Sequence, residues 1–199
     1  MPFDRRLVAA LAAPALVLSV SGCGINSIPT AEENAKARWA DVEADYQRRA
    51  DLIPNLQATV KGFAAQERTI LIGVTEARAK ATSTQLSAAD LTDPAKVAAY
   101  EDAQNGLSAA LTQFRSTFTV ENYPQLASQG LFKQLMDELA STENEIKVSR
   151  RDYNDAVQAY NTEIRTFPAV IGAKVIYGSK PMTPFKAAPG SETAPKVSF

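Results

Sequence analysis

A few charged side chains stand at positions where the sequence pattern predicts apolar ones. Apolar residues recur three and four residues apart over long stretches, as in helices that pack on one face. Charges interrupt these rows at Arg49, Glu67, Glu143 and Arg150. An unpaired carboxylate in such a row could serve as a general acid or base, so Glu67 and Glu143 are the candidates for a carboxylate-based hydrolase. The alternative is that opposite charges in facing rows form structural ion pairs.

Composition narrows the chemistry further. The sequence has no histidine and one cysteine, Cys23, in 199 residues. Its own residues therefore supply no Ser-His-Asp or Cys-His catalysis, no thiolate zinc site and no Glu-x-x-His di-iron motif. We expect a protein that is not an enzyme and needs no metal or cofactor. The net charge is −1 without a basic block, which gives no support to nucleic-acid binding.

The N-terminus is typical of a bacterial lipoprotein signal. Arg5 and Arg6 precede an apolar stretch of about 14 residues, too short as a helix of about 21 Å to span a bilayer core of about 30 Å. Residues 20–23 (VSGC) then match the pattern at which a cysteine is lipidated before cleavage. We predict a signal peptide over residues 1–22 and lipidation of Cys23. A plain signal with a chance cysteine, or a signal retained as an anchor, is the alternative.

Lipidation of Cys23 would hold the protein at a membrane of the cell envelope, with its bulk in the periplasm. The next residue is Gly24 and not the aspartate that retains lipoproteins in the inner membrane, so the sequence allows sorting to the outer membrane. Residues 23–30 are predicted to be a lipidated tether.

The first helix is predicted to cover residues 31–81, with Thr30 as N-cap and Glu33 completing a capping box. Pro54 removes one backbone hydrogen bond inside it, so we expect a kink there that gives a four-helix appearance. Asp51 and Asn55 flank the gap and could bond the freed backbone groups. Two helices meeting at residues 52–53 are the alternative, but the apolar pattern keeps its phase through the proline and favours a bend.

Two further long helices follow. Asp93 as N-cap and Pro94 at the first helical position start the second helix, and residues 122–124 end it. The third helix begins near residues 128–130 and ends at residues 167–168. The prediction is an all-α, long antiparallel up-down-up bundle over residues 31–168, with its first and third helices parallel. In the irregular segment 169–199, an apolar patch should fold over the bundle end and about the last twelve residues should be disordered.

Matching the N-terminal ends of the first and third helices brings Arg49 level with Glu143. We predict that they form a buried or half-buried ion pair, because an unpaired charge in the core is costly. In the alternative, both side chains reach the edge of the groove and remain in water.

The chain resembles the LemA family of bacterial envelope proteins. The resemblance runs over about 140 residues and is carried by residues 48–56 (RRADLIPNL), 59–63 (TVKGF), 75–79 (TEARA), 123–124 (YP), 142–144 (TEN), 150–151 (RR), 153–157 (YNDAV), 160–162 (YNT) and 167–168 (FP). It implies a bundle of long helices held at a membrane, with the bulk outside the cytoplasm. The family has no established catalytic activity and no agreed site residues. Typical members begin with a transmembrane helix and many end in a paired-Phe tail, whereas this chain has Cys23 and a lone Phe185.

We therefore expect a non-enzymatic scaffold or adaptor for another envelope protein, of unknown identity. The contact surface would be the short connections or the region of Arg48 and Asp51. A self-associating bundle that organises the membrane is the first alternative, and a carboxylate enzyme is the second.

Overall fold

The computed structural model describes residues 26–62, 67–119 and 121–186 of the chain. The predicted signal peptide, Cys23, Gly24 and the predicted disordered end lie outside these ranges. The described residues form helices and no strand, which confirms the all-α class. The long helices are α1 (Ser27–Val60), α2 (Arg68–Ser83), α3 (Pro94–Thr117) and α5 (Gly130–Glu163); the short elements are a 3-10 turn (Ala88–Thr92), α4 (Pro124–Ala127), α6 (Ala169–Gly172) and a π-helical turn (Ala173–Tyr177).

Helices α1 and α5 form the long axis of the bundle and run antiparallel. Each has 34 residues, which corresponds to about 50 Å. Arg48 contacts Glu145, whereas Ser27, at the start of α1, donates a hydrogen bond to Glu163 at the end of α5. The prediction that the first and third helices run parallel was wrong, because the chain contains one more reversal than the sequence pattern showed.

The additional reversal lies between Val60 and Arg68. Gln57 Nε2 donates to the carbonyl of Leu71 at 3.2 Å and to Thr75 Oγ1 at 2.9 Å, so α2 folds back along α1. The prediction of one helix over residues 31–81 was therefore wrong, and the division is neither at Pro54 nor at residues 52–53. Periodicity could not reveal it, since α1 and α2 present apolar faces with the same spacing to one core.

Helix α1 continues through Pro54, which is exposed. Proline cannot donate to the carbonyl of Ala50, and Arg78 Nε of α2 donates to that oxygen instead, at 2.8 Å. Asp51, expected to bond the freed backbone, accepts a hydrogen bond from Gln47 at 2.9 Å on the surface. The Ala50 carbonyl, which loses its helical donor at Pro54, thus helps to attach α2 to α1.

This arrangement predicts a coupling between Arg78 and Pro54. Arg78→Ala should lower the free energy of unfolding by about 1–2 kcal/mol, because the Ala50 carbonyl loses its donor. In a Pro54→Ala background the new backbone N–H can donate to that carbonyl, so Arg78→Ala should cost less. Urea unfolding of the four chains measures the coupling, with Arg68→Ala, an exposed arginine of α2, as the control. Equal costs in both backgrounds would show that the Arg78 bond does not replace the missing one.

The helix starts agree with the sequence in one case and differ in another. Asp93 caps α3 as predicted: its Oδ1 accepts from the backbone N–H groups of Ala95 at 2.9 Å and Lys96 at 3.4 Å. Thr30 was wrongly predicted as the N-cap of the first helix, since α1 already begins at Ser27 and Thr30 Oγ1 donates to the Asn26 carbonyl at 2.9 Å. Burial of Ile28, which is 0% exposed, favours this earlier start.

The core consists of two apolar clusters. We call the cluster near the start of α1 proximal; its larger members include Ile28, Trp39, Tyr46, Leu91, Tyr100, Tyr153, Tyr160, Met182 and Phe185. The distal cluster, at the other end, includes Ile53, Leu56, Val74, Leu107, Phe114, Leu126, Phe132 and Leu139. Arg49, which is fully buried, belongs to neither cluster and lies between their α1 members Tyr46 and Ile53.

The C-terminal segment packs differently from the prediction. The large apolar residues of the patch expected to cover the bundle end are mostly exposed: Ile171, Val175, Ile176 and Tyr177. Apart from the small residues Ala169 and Ala173, the buried apolar side chains here are Met182 and Phe185, on an extended segment of residues 178–186 that we call the strap. Gly178 has φ of +59°, a conformation that suits glycine, and turns the chain from the π-helical turn into the strap. The prediction placed the large packed side chains a few residues too early, because it considered only the hydrophobicity of the segment itself.

Candidate functional site

Arg49 is the centre of a polar layer in the bundle. Its Nη1 donates to Ser108 Oγ at 2.6 Å and to Glu143 Oε1 at 2.9 Å, and its Nη2 donates to Gln104 Oε1 at 2.8 Å. The Gln104 carbonyl accepts a further bond from Nη2 at 3.3 Å, while Nε is buried and has no hydrogen-bond partner among the residues that the structure describes. The planar guanidinium thus joins α1, α3 and α5 at one level, which an ammonium group could not do with the same geometry.

The predicted contact between Arg49 and Glu143 is present. The Arg49 side chain is 1% exposed and that of Glu143 is 25% exposed, so the arginine is buried and the glutamate is partly exposed to water. The register used to predict it was nevertheless wrong. Arg49 is the 23rd residue of α1 and Glu143 is the 14th of α5, so antiparallel packing brings them nearly level, whereas parallel packing of these helices would leave them about 14 Å apart.

Arg150 forms a second polar group next to the layer. Its Nη2 donates to Glu101 of α3 and, at 2.9 Å, to the carbonyl of Lys186 in the strap. Its Cζ lies 4.7 Å from the centre of the Phe185 ring, within the range of a cation–π contact. Sequence reasoning identified Arg150 but missed Glu101, which follows a row residue, Tyr100, and does not itself interrupt the row.

Tyr46 links the two arginines. Its ring centre lies 5.1 Å from Arg49 Cζ, and its hydroxyl accepts a weak bond from Arg150 Nη1 at 3.5 Å. Burial raises the pKa of Tyr46 above its usual value, although the positive charges of both arginines oppose this effect. The tyrosine therefore stays neutral and functions as a packed, hydrogen-bonded ring.

The remaining candidate residues lie outside the polar layer. Arg48 is on the surface and pairs with Glu145 at 2.7 Å and Glu138 at 3.6 Å. Pro54, Asn55 and Asp51 are exposed on α1. Of these residues, only Arg48 has an ion pair reaching α5, and exposed pairs of this kind contribute little to stability.

The two carboxylates considered for catalysis are held in separate environments. Glu143 is paired with Arg49, whereas Glu67 precedes α2 and accepts a hydrogen bond from Tyr123 at 3.0 Å, beside the distal cluster. Within residues 26–62, 67–119 and 121–186, no three acidic or cysteine side chains are grouped as a metal site would require. An open groove of about 310 Å³ borders Tyr46, Tyr100 and Gln104. It contains neither carboxylate, whereas a second open groove, of about 530 Å³, is lined by Glu143 together with Arg150 and Tyr46.

A repeated Tyr-Asn pair on α5 holds the strap. Asn154 accepts from the N–H of Phe185 at 2.8 Å and donates to the carbonyl of the same residue at 3.0 Å. One heptad later, Asn161 makes the same two bonds to Met182, at 2.9 and 2.8 Å. The neighbouring hydroxyls of Tyr153 and Tyr160 donate to the carbonyls of Thr183 and Lys180, both at 3.1 Å. All of these bonds go to backbone groups of the strap. The side chains of α5 thus hold the strap by its main chain, as the edge of a β-sheet holds an added strand.

None of the helices that the structure describes combines the length and apolar character needed to cross a membrane.

The chain is similar to proteins named MamQ and LemA. The chain is 28% identical over 159 residues to magnetosome protein MamQ 2 of Paramagnetospirillum magneticum, a match covering 72% of this chain and 58% of that protein. It is 30% identical over 124 residues to protein LemA of Metamycoplasma hominis, covering 62% of this chain and 51% of that one. Magnetosome protein MamQ of Magnetospirillum gryphiswaldense is 27% identical over 184 residues, covering 84% and 66%. The chain thus spans between half and two thirds of the length of these relatives.

The sequence model of the LemA family matches residues 38–199, which include the polar layer, the Tyr-Asn pairs and the strap. On this match, the chain belongs to the LemA family.

Proposed function

We propose that the protein is an envelope lipoprotein of the LemA type, anchored through Cys23, whose bundle is a non-catalytic adaptor for another envelope protein. The observation that carries the proposal is the use of the interior charges. Glu143 and Glu101 are each bonded to an arginine, and Arg49 has further acceptors on α3. These side chains connect helices, which suits a rigid body more than a reaction centre.

The anchor and the partner surface would then lie at opposite ends. The short chain from Cys23 to Ser27 leads into the proximal end of α1. The distal end lies about 50 Å away and carries the connections around residues 61–62 and 121–131. Leu131 is 59% exposed there. Distance from the anchor would leave this end free to meet a protein that stands in or crosses the envelope.

The relatives support the membrane setting in general terms. Two of them are named magnetosome proteins and one is named LemA. The periplasmic location and the lipid on Cys23 rest on the sequence pattern of residues 1–24. Since the chain covers only part of these proteins, their roles are not carried over.

The proposal predicts what a photo-reactive residue at position 131 captures in living cells. Irradiation of the full-length chain should crosslink it to a different envelope protein, and mass spectrometry of the same membrane preparation should find acyl chains on Cys23. A photo-reactive residue at Val148, equally apolar, 49% exposed and in the middle of α5, is the control and should capture much less. Crosslinks to copies of the chain alone would contradict the adaptor function and favour the self-associating bundle. An unmodified Cys23 would contradict the lipid anchor.

A further inference from the structure

The exposed apolar residues are concentrated in one short segment. Of eight large apolar side chains exposed among the described residues, five lie within residues 167–177: Phe167 at 79%, Val175 at 78%, Ile176 at 59%, Ile171 at 57% and Tyr177 at 42%. The opposite side of the segment is part of the core, since Ala169, Gly172 and Ala173 are buried. The segment therefore has one face packed on the bundle and one apolar face that no described residue covers.

This segment lies at the end of the bundle where the anchor must be. Ala169 and Ala173 pack in the same cluster as Ile28 of α1, and Ser27 bonds Glu163 at the end of α5. Four peptide units separate Ser27 from Cys23, so the cysteine lies within about 14 Å of Ser27 whatever path the chain takes. A lipid on Cys23 would bring the bilayer surface close to the exposed apolar face.

The local charge suits a phospholipid surface. Residues 164–180 contain three basic residues, Arg165, Lys174 and Lys180, and no acidic one, although the whole chain has a net charge of −1. All three are exposed. The acidic residues at this end of the bundle have partners: Glu163 accepts a hydrogen bond from Ser27, and Glu32 and Glu33 both pair with Lys36. Basic side chains next to a two-faced apolar turn are typical of segments that lie in the membrane interface.

We propose that residues 167–177 form a second membrane contact, in which the apolar side chains enter the headgroup region of an anionic bilayer beside the lipid on Cys23. The inference rests on the membrane anchoring in the proposed function and adds the orientation of the bundle. One flexible lipid tether would let the bundle turn freely. A second contact at the same end fixes this end on the membrane and directs the distal end away from it.

The test uses the full-length protein purified from membranes and reconstituted into vesicles of phosphatidylethanolamine and phosphatidylglycerol. A diazirine in the acyl chains of the phospholipid labels residues that enter the bilayer, and mass spectrometry locates the label. Peptides covering residues 167–177 should be labelled, and peptides around Leu131 should not. Val175→Asp with Ile176→Asp should reduce labelling of the segment about tenfold, because two charged groups must leave the apolar interface. Leu131→Asp, an exposed apolar residue at the distal end, is the matched control and should change nothing.

The outcomes separate this inference from the proposed function. Absence of label from residues 167–177 in protein whose Cys23 carries acyl chains would overturn the second contact and leave the anchor intact. The same holds if crosslinks show that a second copy, or residues 187–199 of the same chain, cover the apolar face. If the N-terminal peptide carries no acyl chain, the lipoprotein assignment fails, while label on residues 167–177 would still support the contact. The acyl state is read from a different peptide, so neither result depends on the other.

Discussion

Replacing Arg49 with methionine is expected to lower the free energy of unfolding by about 3–5 kcal/mol, a large share of the stability of a single domain. The substitution removes bonds to Ser108, Gln104 and Glu143 at one step. Gln104 is buried, so its side chain and carbonyl would lose a donor without gaining water. Glu143 is partly exposed and can turn outward, which limits its own contribution. Urea unfolding followed by circular dichroism measures the change.

A double-mutant cycle with Glu143→Gln isolates the pair from the rest of the layer. The two losses should not add: the double variant should be more stable than their sum predicts by about 1–2 kcal/mol, because each substitution already removes the same contact. Additive losses would show that Arg49 is held by α3 alone. Arg48→Met is the control on the neighbouring residue. Its ion pairs are exposed, so it should cost less than about 1 kcal/mol.

The sequence predicted the polar layer better than it predicted the path of the chain. A charge that interrupts an apolar row is visible without a structure. The row is buried in a helical bundle, and a charge buried there needs a partner. Arg49, Glu143 and Arg150 were found in this way. Ser108 and Glu101 were not, because a serine or glutamate beside a row is indistinguishable from a solvated one. The direction of a helix leaves no mark on periodicity, so the reversal between Val60 and Arg68 was missed.

The strap shows a second limit of pattern reading. Residues 178–186 contain proline, lysine and serine and resemble a loose end, whereas residues 170–177 are more apolar and resemble a packed one. The structure reverses the two, because Asn154 and Asn161 supply backbone partners seven residues apart that an extended chain can use. These asparagines belong to the motifs that resemble the LemA family, but their role depends on a segment over twenty residues away. Only the geometry of α5 and the strap together reveals it.

Phe185→Ala is the other substitution with a large expected effect, about 3–4 kcal/mol in the free energy of unfolding. The ring lies in the proximal cluster, with centres 5.3 Å from Tyr153 and 5.9 Å from Trp39, and Arg150 lies over its face. Its removal leaves a cavity beside the only tryptophan of the chain. Release of the strap would then wet Trp39, which is 3% exposed in the native protein, so its emission should shift to longer wavelength. Lys180→Ala is the control on the strap, since only its backbone carbonyl is bonded to α5.

The hydrogen bonds of Asn154 decide whether the strap is held by its backbone or by its phenylalanine alone. Asn154→Ala removes both bonds to Phe185 and should cost about 2 kcal/mol, whereas Asn154→Asp keeps an acceptor for the Phe185 N–H and should cost less. Quenching of Trp39 by acrylamide should follow the same order, with Phe185→Ala the strongest, Asn154→Ala next and Asn154→Asp weakest. Unchanged quenching in Asn154→Ala would mean that ring packing alone holds the strap. Unchanged quenching in Phe185→Ala would mean that the strap does not cover Trp39, and the proximal core would then have to close around α1, α3 and α5 alone.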